Sequence, residues 1–187
     1  MDTAARQARD EWLALRCKLD APAAFEDLIR EMELPLLYYV TKLLNDESRA
    51  FDVLQEVWLA AFRGIRRLKD PRALRPWLYR IAHGVVVDRI RYESARERAE
   101  KTWAESPETG DESHFNPEDA AAIHRALDEI EPKHREVLVL HFLDSLCVTE
   151  IASIVGCPAG TVKSRIHYAK RALKEILERG GYGHEEK

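Results

Sequence analysis

The chain has 187 residues, of which 45% are hydrophobic, and 29 Lys and Arg stand against 33 Asp and Glu for a formal net charge of −4. This length suits one ordinary domain or two small ones, with enough apolar content for a packed core. No apolar run is long enough to span a bilayer and no signal-peptide pattern is present, so we expect no membrane insertion and a cytoplasmic location. Three widely spaced cysteines indicate no disulfide framework.

Charge is distributed in blocks along the chain. Residues 61–98 carry eleven Lys and Arg against four Asp and Glu, and residues 156–179 carry six against two. Between them, residues 99–131 carry two against ten. Two basic blocks separated by an acidic one favour two contacts with a polyanion such as nucleic acid, which the negative total conceals.

Apolar residues recur at helical spacing along most of the chain, without a period-two strand pattern or an internal repeat. We expect Asp20 to cap the second helix, Pro35 to kink or restart it, and Asn45-Asp46 to end it. The spacing predicts helices over residues 3–19, 21–44, 47–68, 76–98, 117–130 and 132–142, followed by a helical pair.

Two of the predicted helices have a well-defined apolar stripe. On the first helix the stripe consists of Ala8, Trp12, Leu15 and Leu19. On the third helix it consists of Phe51, Leu54, Val57, Trp58, Ala61, Phe62 and Ile65. The outer side of the third helix is therefore expected to carry Asp52, Gln55, Glu56 and Leu59.

From residue 99 the sequence becomes polar and acidic, with Ser-Pro, Thr-Gly-Asp and Asn-Pro combinations and few aliphatic side chains. This composition favours a flexible linker. We therefore expect an all-α protein of two small helical domains, residues 1–98 and 117–179. A flexible acidic linker, residues 99–116, would join them, and a flexible tail, residues 180–187, would follow.

A helix-turn-helix pattern occupies residues 149–171 (TEIASIVGCPAGTVKSRIHYAKR), with a turn at Gly156 and a second helix that opens at Pro158. The apolar stripe of this second helix consists of Val162, Ile166, Ala169, Leu173, Ile176 and Leu177. Its other side carries Lys163, Ser164, His167, Lys170 and Arg171. A packed helix with donors and positive charge on its outer face is what a major-groove reader needs, and an ordinary amphipathic surface helix is the alternative.

No catalytic, cofactor or metal site is indicated. Residues 156–163 (GCPAGTVK) lack the Lys that follows the second glycine of a phosphate-binding loop, and no strand precedes them. His141, Cys147 and Cys157 are too widely spread for a zinc site. We expect no enzymatic activity, with Cys147 and Cys157 as small buried hydrophobes in preference to redox-sensitive thiols.

Several runs together resemble the extracytoplasmic-function (ECF) sigma factors of bacterial RNA polymerase. Residues 52–62 (DVLQEVWLAAF), 76–82 (PWLYRIA) and 87–91 (VDRIR) are similar to region 2 of that family. Residues 130–138 (IEPKHREVL), with the helix-turn-helix, are similar to region 4. The resemblance implies a region 2-like helical bundle and a region 4-like helix-turn-helix. It also implies a subunit whose partners are bacterial core RNA polymerase, promoter DNA and an anti-sigma factor.

The resemblance assigns the outer face of the third helix to the polymerase. Asp52, Gln55 and Glu56, with Leu59 alongside, would dock on the coiled-coil clamp helices of the largest polymerase subunit. Acceptors grouped on one helix face suit an arginine-bearing surface, because charge-assisted hydrogen bonds are strong. A merely solvated acidic face is the alternative.

The resemblance also implies that the loop of residues 68–72 and the start of the next helix capture an unstacked base of the −10 promoter strand. Opened DNA requires positive charge for its backbone and an aromatic plane for a base. The implied −10 contacts are Leu68, Lys69, Arg72, Arg75, Trp77, Arg80, Arg89 and Arg91, with further charge from Arg66 and Arg67 and a second aromatic plane from Tyr79. Trp77 suits a core anchor equally well.

The loop reads Leu-Lys-Asp-Pro-Arg where many family members have an aromatic-Arg-Gly-Asp-Ser run, and Gly84 stands where many have asparagine, so the base preference does not carry over.

For the −35 element, the resemblance implies that the second helix of the helix-turn-helix lies in the major groove. The base edges would be met by Lys163, Ser164, His167 and Tyr168. The phosphates, which position the protein without specifying sequence, would be met by Thr161, Arg165, Lys170 and Arg171. Tyr168 is equally suited to packing.

Two other classes of protein compete with this interpretation. A stand-alone transcription regulator would also use region 4-like helices, but it leaves the acceptor face of the third helix unexplained. A helical factor that sequesters polymerase would use that face without any promoter contact. The acidic linker is similar to the family connector that threads the polymerase channel, where its charge would mimic nucleic acid, and it also suits a solvated tether.

Overall fold

The structure, a computed structural model, describes residues 3–100 and 118–180, and the regular elements within these two ranges are all helical. The α-helices described there are α1 (Thr3–Lys18), α2 (Ala24–Leu44), α3 (Glu47–Gly64), α4 (Leu74–Glu100), α5 (Glu118–Glu129), α6 (Pro132–Leu138), α7 (Val148–Val155) and α8 (Ala159–Arg179). The predicted all-α architecture is confirmed. The predicted linker and tail lie almost wholly outside the described residues.

The described residues form two compact units, one with α1–α3 and α4 as far as Tyr92, the other with most of α5–α8. In the first unit, Tyr39 of α2 and Tyr79 of α4 meet edge to face in the core, with 5.1 Å between ring centroids. α2 runs through Pro35 without a restart, because its buried face, which includes Met32 and Leu36, packs on both sides of the proline. Among the described residues, no helix is long and apolar enough to cross a membrane.

The face of α1 that packs inward differs from the predicted apolar stripe. Leu13 and Cys17 are buried, whereas Trp12 is 45% exposed. The guanidinium carbons of Arg9 and Arg16 lie 4.8 and 4.6 Å from the ring centroid of Trp12. The indole therefore lies at the surface, where two stacked guanidinium groups contact it, and not in the core as the spacing predicts.

Asp20 does not cap α2, contrary to the prediction. The helix begins at Ala24 after Ala23, and both Asp20 and Ala23 have positive φ, +51° and +58°. The Asp20 carboxylate instead accepts a hydrogen bond from Arg66 Nε at 3.1 Å. A partner 46 residues away in the sequence thus determines the position of this side chain.

Between α3 and α4 lie two 3-10 turns, Ile65–Arg67 and Pro71–Ala73. We call this connection, together with the first two residues of α4, the α3–α4 segment (residues 65–75). The Asp70 carboxylate caps the second turn by accepting a hydrogen bond from Arg72 N at 3.0 Å. Just before the segment, a Cβ on Gly64 would lie 3.0 Å from Cζ2 of Trp77. The glycine therefore permits the close approach of this indole at the start of α4.

The second unit has its core where α5, α6 and α8 meet. The buried residues Leu127, Ile130, Leu138 and Ala169 form this core, against which Leu173 and Ile176 pack. Gly156 separates α7 from α8 with a φ of +67°, a conformation that glycine adopts without strain. α8 follows directly after Pro158, so the predicted helix-turn-helix is present with its boundaries correct to within one residue.

Candidate polymerase and promoter interfaces

One side of α3 is exposed over several turns. Asp46 caps the helix by accepting a hydrogen bond from Arg49 N at 3.0 Å, and Leu54 and Val57 anchor the opposite side in the core. The exposed side presents Asp52, Gln55, Glu56 and Leu59, as the spacing predicts. Because the helix is capped and packed, these side chains project from a rigid frame.

Two aromatic side chains that the spacing assigned to the core extend this exposed side. Phe51 is 49% exposed and Phe62 is 63% exposed. The Phe62 ring meets Phe25 of α2 edge to face, with 5.1 Å between centroids. Residues at the edge of an apolar stripe have the same spacing as those at its centre, so the pattern alone does not predict this exposure.

Glu56 already has a partner within the first unit, because its carboxylate accepts a hydrogen bond from the Arg89 guanidinium of α4. Both side chains are partly exposed, and ion pairs of this kind are weak and exchange readily. A polymerase arginine that bound Glu56 would compete with Arg89. This ion pair therefore joins a residue predicted to contact the polymerase, Glu56, to one predicted to contact the −10 strand, Arg89.

Three side chains predicted for the −10 surface are buried, and these predictions are corrected. Leu68 and Arg75 are only 6% and 8% exposed, and Tyr79 is fully buried against Tyr39. Arg75 Nε and Nη2 donate to the two carboxylate oxygens of Asp10 at 2.9 and 3.1 Å. A guanidinium held inside the protein by a carboxylate does not reach a phosphate outside it.

The other predicted −10 side chains remain at the surface to different extents. Lys69, Arg72, Arg80 and Arg91 are exposed, and Trp77 and Arg89 are half-buried. The contact between Trp77 and Gly64 shows that the indole anchors the start of α4, whichever other role it has. Arg72 Nε lies 3.5 Å from Glu11 of α1, and Arg91 lies 3.7 Å from Asp88.

α8 buries one side and presents the other to solvent. Val162, Ile166 and Ala169 are buried as predicted. The predicted DNA-facing residues that are exposed are Lys163, Ser164, His167, Tyr168, Lys170 and Arg171, and those that are half-buried are Thr161 and Arg165. The spacing therefore predicts the outer side of this helix correctly.

Contacts along α8 order several of its outer side chains. Ser164 Oγ donates to the Thr161 carbonyl at 2.9 Å, and Arg171 Nε donates to Glu175 Oε1 at 2.8 Å. The bond to Glu175 raises the pKa of Arg171. Lys170 Nζ lies 4.8 Å from the centroid of the Phe142 ring, so this ammonium group rests on an aromatic face.

Tyr168 lies between two imidazoles. Its ring centroid is 6.2 Å from that of His134 on α6 and 5.7 Å from that of His167 on α8. Glu131, whose carboxylate lies 3.4 Å from Nδ1 of His134, has its pKa lowered by a hydrogen bond from Lys133. Tyr168 is 56% exposed, and packing therefore leaves much of its ring accessible.

The cysteines differ in their surroundings. Cys17 is buried, and burial raises the pKa of its thiol. Cys147 is exposed and Cys157 is half-buried, so the expectation that both are buried hydrophobes is wrong for Cys147. Its position before the first residue of α7, where Cys147 N donates to Glu150 at 2.8 Å, keeps it outside the core. Within the described residues, no group of three His, Cys, Asp or Glu side chains could hold a metal ion.

Comparison with known proteins gives matches in both units. Residues 28–96 match Sigma-70 region 2, and residues 120–173 match Sigma-70, region 4. The RNA polymerase sigma-H factor of Pseudomonas aeruginosa is 27% identical over 184 residues, covering 92% of this chain and 95% of the relative. The ECF RNA polymerase sigma factor SigW of Bacillus subtilis is 31% identical over 175 residues, covering 84% of this chain and 89% of the relative.

Two solved structures share the fold. The sigma factor RpoE of Bartonella quintana, in complex with the anti-sigma factor NepR, has a TM-score of 0.69 at 21% identity, covering 82% of this chain and 98% of its own. CnrH, in complex with the cytosolic domain of CnrY, has a TM-score of 0.62 at 23% identity, covering 91% of this chain and 97% of its own. Regions 2 and 4 are matched in order, and the relative from Bacillus subtilis is 31% identical over most of its length. The chain therefore belongs to the ECF sigma factors of bacterial RNA polymerase, which bind the core enzyme and direct promoter-specific transcription initiation.

Proposed function

We propose that this sigma factor docks on core RNA polymerase through the outer face of α3, within a domain of residues 1–98. The face consists of Asp52, Gln55, Glu56 and Leu59. The observation that supports this most is the arrangement of α3, where neighbouring acceptors on a capped helix lie beside the exposed rings of Phe51 and Phe62. Protein interfaces commonly combine aromatic contacts with charge-assisted hydrogen bonds in this way.

The −10 strand is met by the exposed side of the α3–α4 segment and of α4. The side chains assigned to this role are Lys69, Arg72, Trp77, Arg80, Arg89 and Arg91. Because Tyr79 is buried, Trp77 is the aromatic side chain assigned to stacking, and its indole is half-buried. The cations follow the phosphate backbone of the opened strand.

The −35 element is met by α8, within a domain of residues 117–179 that the linker of residues 99–116 joins to the first. Base edges face Lys163, Ser164, His167 and Tyr168, and phosphates face Thr161, Arg165, Lys170 and Arg171. The support is the division of α8 into a buried apolar side and an outer side rich in donors. Such a helix fits the width of the major groove.

An anti-sigma factor is a further proposed partner, because RpoE and CnrH, which share this fold, are each held by a protein partner in their solved structures. The chain supplies no catalysis of its own and acts in the cytoplasm, where the polymerase carries out the chemistry. This partner would be supported if the chain, purified from its native host, carried a second protein that core polymerase displaces.

The proposed docking face is tested by titrating bacterial core RNA polymerase with the full chain and with the Gln55→Ala/Glu56→Ala variant. We expect the variant to bind at least about tenfold more weakly, which is the effect of removing one interface hot spot. Glu33→Ala, which removes an exposed carboxylate from α2, is the matched control and should bind like the wild type. Equal binding by all three proteins would contradict the assignment of α3.

A further inference from the structure

The N-terminal helix α1 lies outside residues 28–96, which match region 2, yet it contacts the α3–α4 segment repeatedly. Three acidic residues and one lysine in and just after α1 reach basic side chains or a carbonyl of this segment. Their partners in the segment are spread from Arg66 to Arg75. α1 therefore spans the length of the segment to which the −10 contacts are assigned.

The strongest of these contacts is the Asp10–Arg75 pair. Both hydrogen bonds of the pair have good length, 2.9 and 3.1 Å, and the side chains are only 7% and 10% exposed. Two parallel bonds between a planar guanidinium and a carboxylate fix the orientation of both groups. A buried pair of this kind contributes little net stability but strongly restricts geometry.

A second, partly buried contact holds the α3–α4 segment near its N-terminal end. Lys18 Nζ, at the end of α1, donates to the Leu68 carbonyl at 2.7 Å. The Leu68 side chain is buried below it, so the backbone is held from both sides at the residue before Lys69. The pairs Glu11–Arg72 and Asp20–Arg66 are more exposed and can exchange with DNA phosphates.

We propose that α1 is a positioning element for the −10 contacts, with Asp10 and Lys18 as its positioning residues. This proposal rests on the proposed −10 function of the α3–α4 segment. Asp10 holds Arg75 and Lys18 holds the Leu68 carbonyl, so Lys69 and Arg72, which lie between these anchors, keep a fixed direction. A segment ordered before binding loses less conformational entropy when it captures a strand.

The test uses the full chain assembled with bacterial core RNA polymerase and a fluorescent single strand that carries the −10 sequence of a promoter selected with the wild-type holoenzyme. The variants are Asp10→Asn, Lys18→Met and the direct variant Lys69→Ala/Arg72→Ala. The matched control is Asp27→Asn, which removes a carboxylate that ties α1 to α2 through Arg16. Hydrogen exchange of the amides of residues 68–75 is measured on the same proteins.

We expect Asp10→Asn and Lys18→Met each to bind the −10 strand about tenfold more weakly, which is the size of the effect of losing one base–aromatic stacking contact. The amides of the α3–α4 segment should also exchange their hydrogens faster in these two variants. Core polymerase affinity should stay unchanged, since α3 carries that interface, and Asp27→Asn should match the wild type. Lys18→Met keeps the test informative if Asp10→Asn does not fold.

The outcomes separate the positioning role from the proposed function. A loss of strand binding in the direct variant, without any loss in Asp10→Asn and Lys18→Met, would overturn the positioning role alone. An equal loss in Asp27→Asn would also overturn it, because general loosening of α1 would then explain the effect. If the direct variant binds normally, the assignment of the α3–α4 segment to the −10 strand fails, and the positioning role fails with it.

Discussion

The two surfaces proposed to meet the promoter are built in different ways. In the α3–α4 segment, the basic side chains are held by residues distant in sequence, as when Arg75 binds Asp10 across 65 positions. On α8, the hydrogen bonds that order the outer side chains are local, as between Arg171 and Glu175. Helix geometry therefore sets these hydrogen bonds of α8, whereas the α3–α4 segment depends on the docking of α1.

The largest effect expected from this difference concerns the buried pair. Asp10→Ala leaves the Arg75 guanidinium buried without its carboxylate, and we expect a loss of about 3 kcal/mol in the free energy of unfolding. The double variant Asp10→Leu/Arg75→Met should lie within about 1 kcal/mol of the wild type, since an apolar pair of similar volume fills the site. Urea denaturation followed by tryptophan fluorescence measures both values.

On α8 the corresponding change should cost little. Glu175→Ala removes the partner of Arg171 at the surface, and exposed i,i+4 pairs contribute much less to the free energy of unfolding than a buried pair. A loss in Glu175→Ala as large as that in Asp10→Ala would contradict the distinction between the two surfaces.

The same difference explains how far the sequence predicted the site. Spacing predicted the outer sides of α3 and α8 because a helical stripe encodes its own opposite face. The resemblance placed Arg75 on the −10 surface, but burial of an arginine requires a carboxylate, here Asp10, that no local pattern reveals. The capping expectation failed for Asp20 in the same way, because its partner Arg66 is distant in the sequence. An arginine in a basic run looks the same in sequence whether it faces DNA or an internal partner.

Backbone conformation offers a second comparison, between the glycine of the helix-turn-helix and a glycine of α4. Gly156 has a φ of +67°, so Gly156→Ala should cost about 1 kcal/mol in the free energy of unfolding of the helix-turn-helix. Gly84 lies within α4 with no heavy atom inside 4 Å of a Cβ placed there. Gly84→Ala should therefore stabilise the first unit by about 0.5–1 kcal/mol, from the helix propensity of alanine. Circular dichroism during thermal unfolding distinguishes the two signs.

Removing one charge from each surface should change DNA affinity by a smaller amount and in opposite directions. Lys163→Ala removes an exposed cation from α8, so binding of the holoenzyme to a −35 duplex should weaken and the slope of log K against log salt should flatten by ~1. Glu11→Gln removes the carboxylate 3.5 Å from Arg72, so binding to the −10 strand should tighten about threefold, the scale of one exposed ion pair. Titrations at several salt concentrations measure both slopes, and a weaker −10 interaction in Glu11→Gln would contradict exchange between this carboxylate and DNA.

Acid should weaken the contact that holds α1 against α2. The pKa of Asp27 is lowered from its ordinary value of 3.8, first by the hydrogen bond from Arg16 of α1 and then by that from Arg30. A carboxyl group whose pKa is lower in the folded state stabilises that state above the ordinary value, and this contribution disappears as the pH falls through the lowered one. The ring of Trp12 rests 4.6 Å from the Arg16 guanidinium carbon, so the indole NMR signal of Trp12 should shift as Asp27 becomes protonated. In Asp27→Asn this acid-dependent shift should be absent, and the fall of unfolding free energy with acid should be shallower. A Trp12 signal that shifts equally in both proteins would show that another group holds α1 against α2.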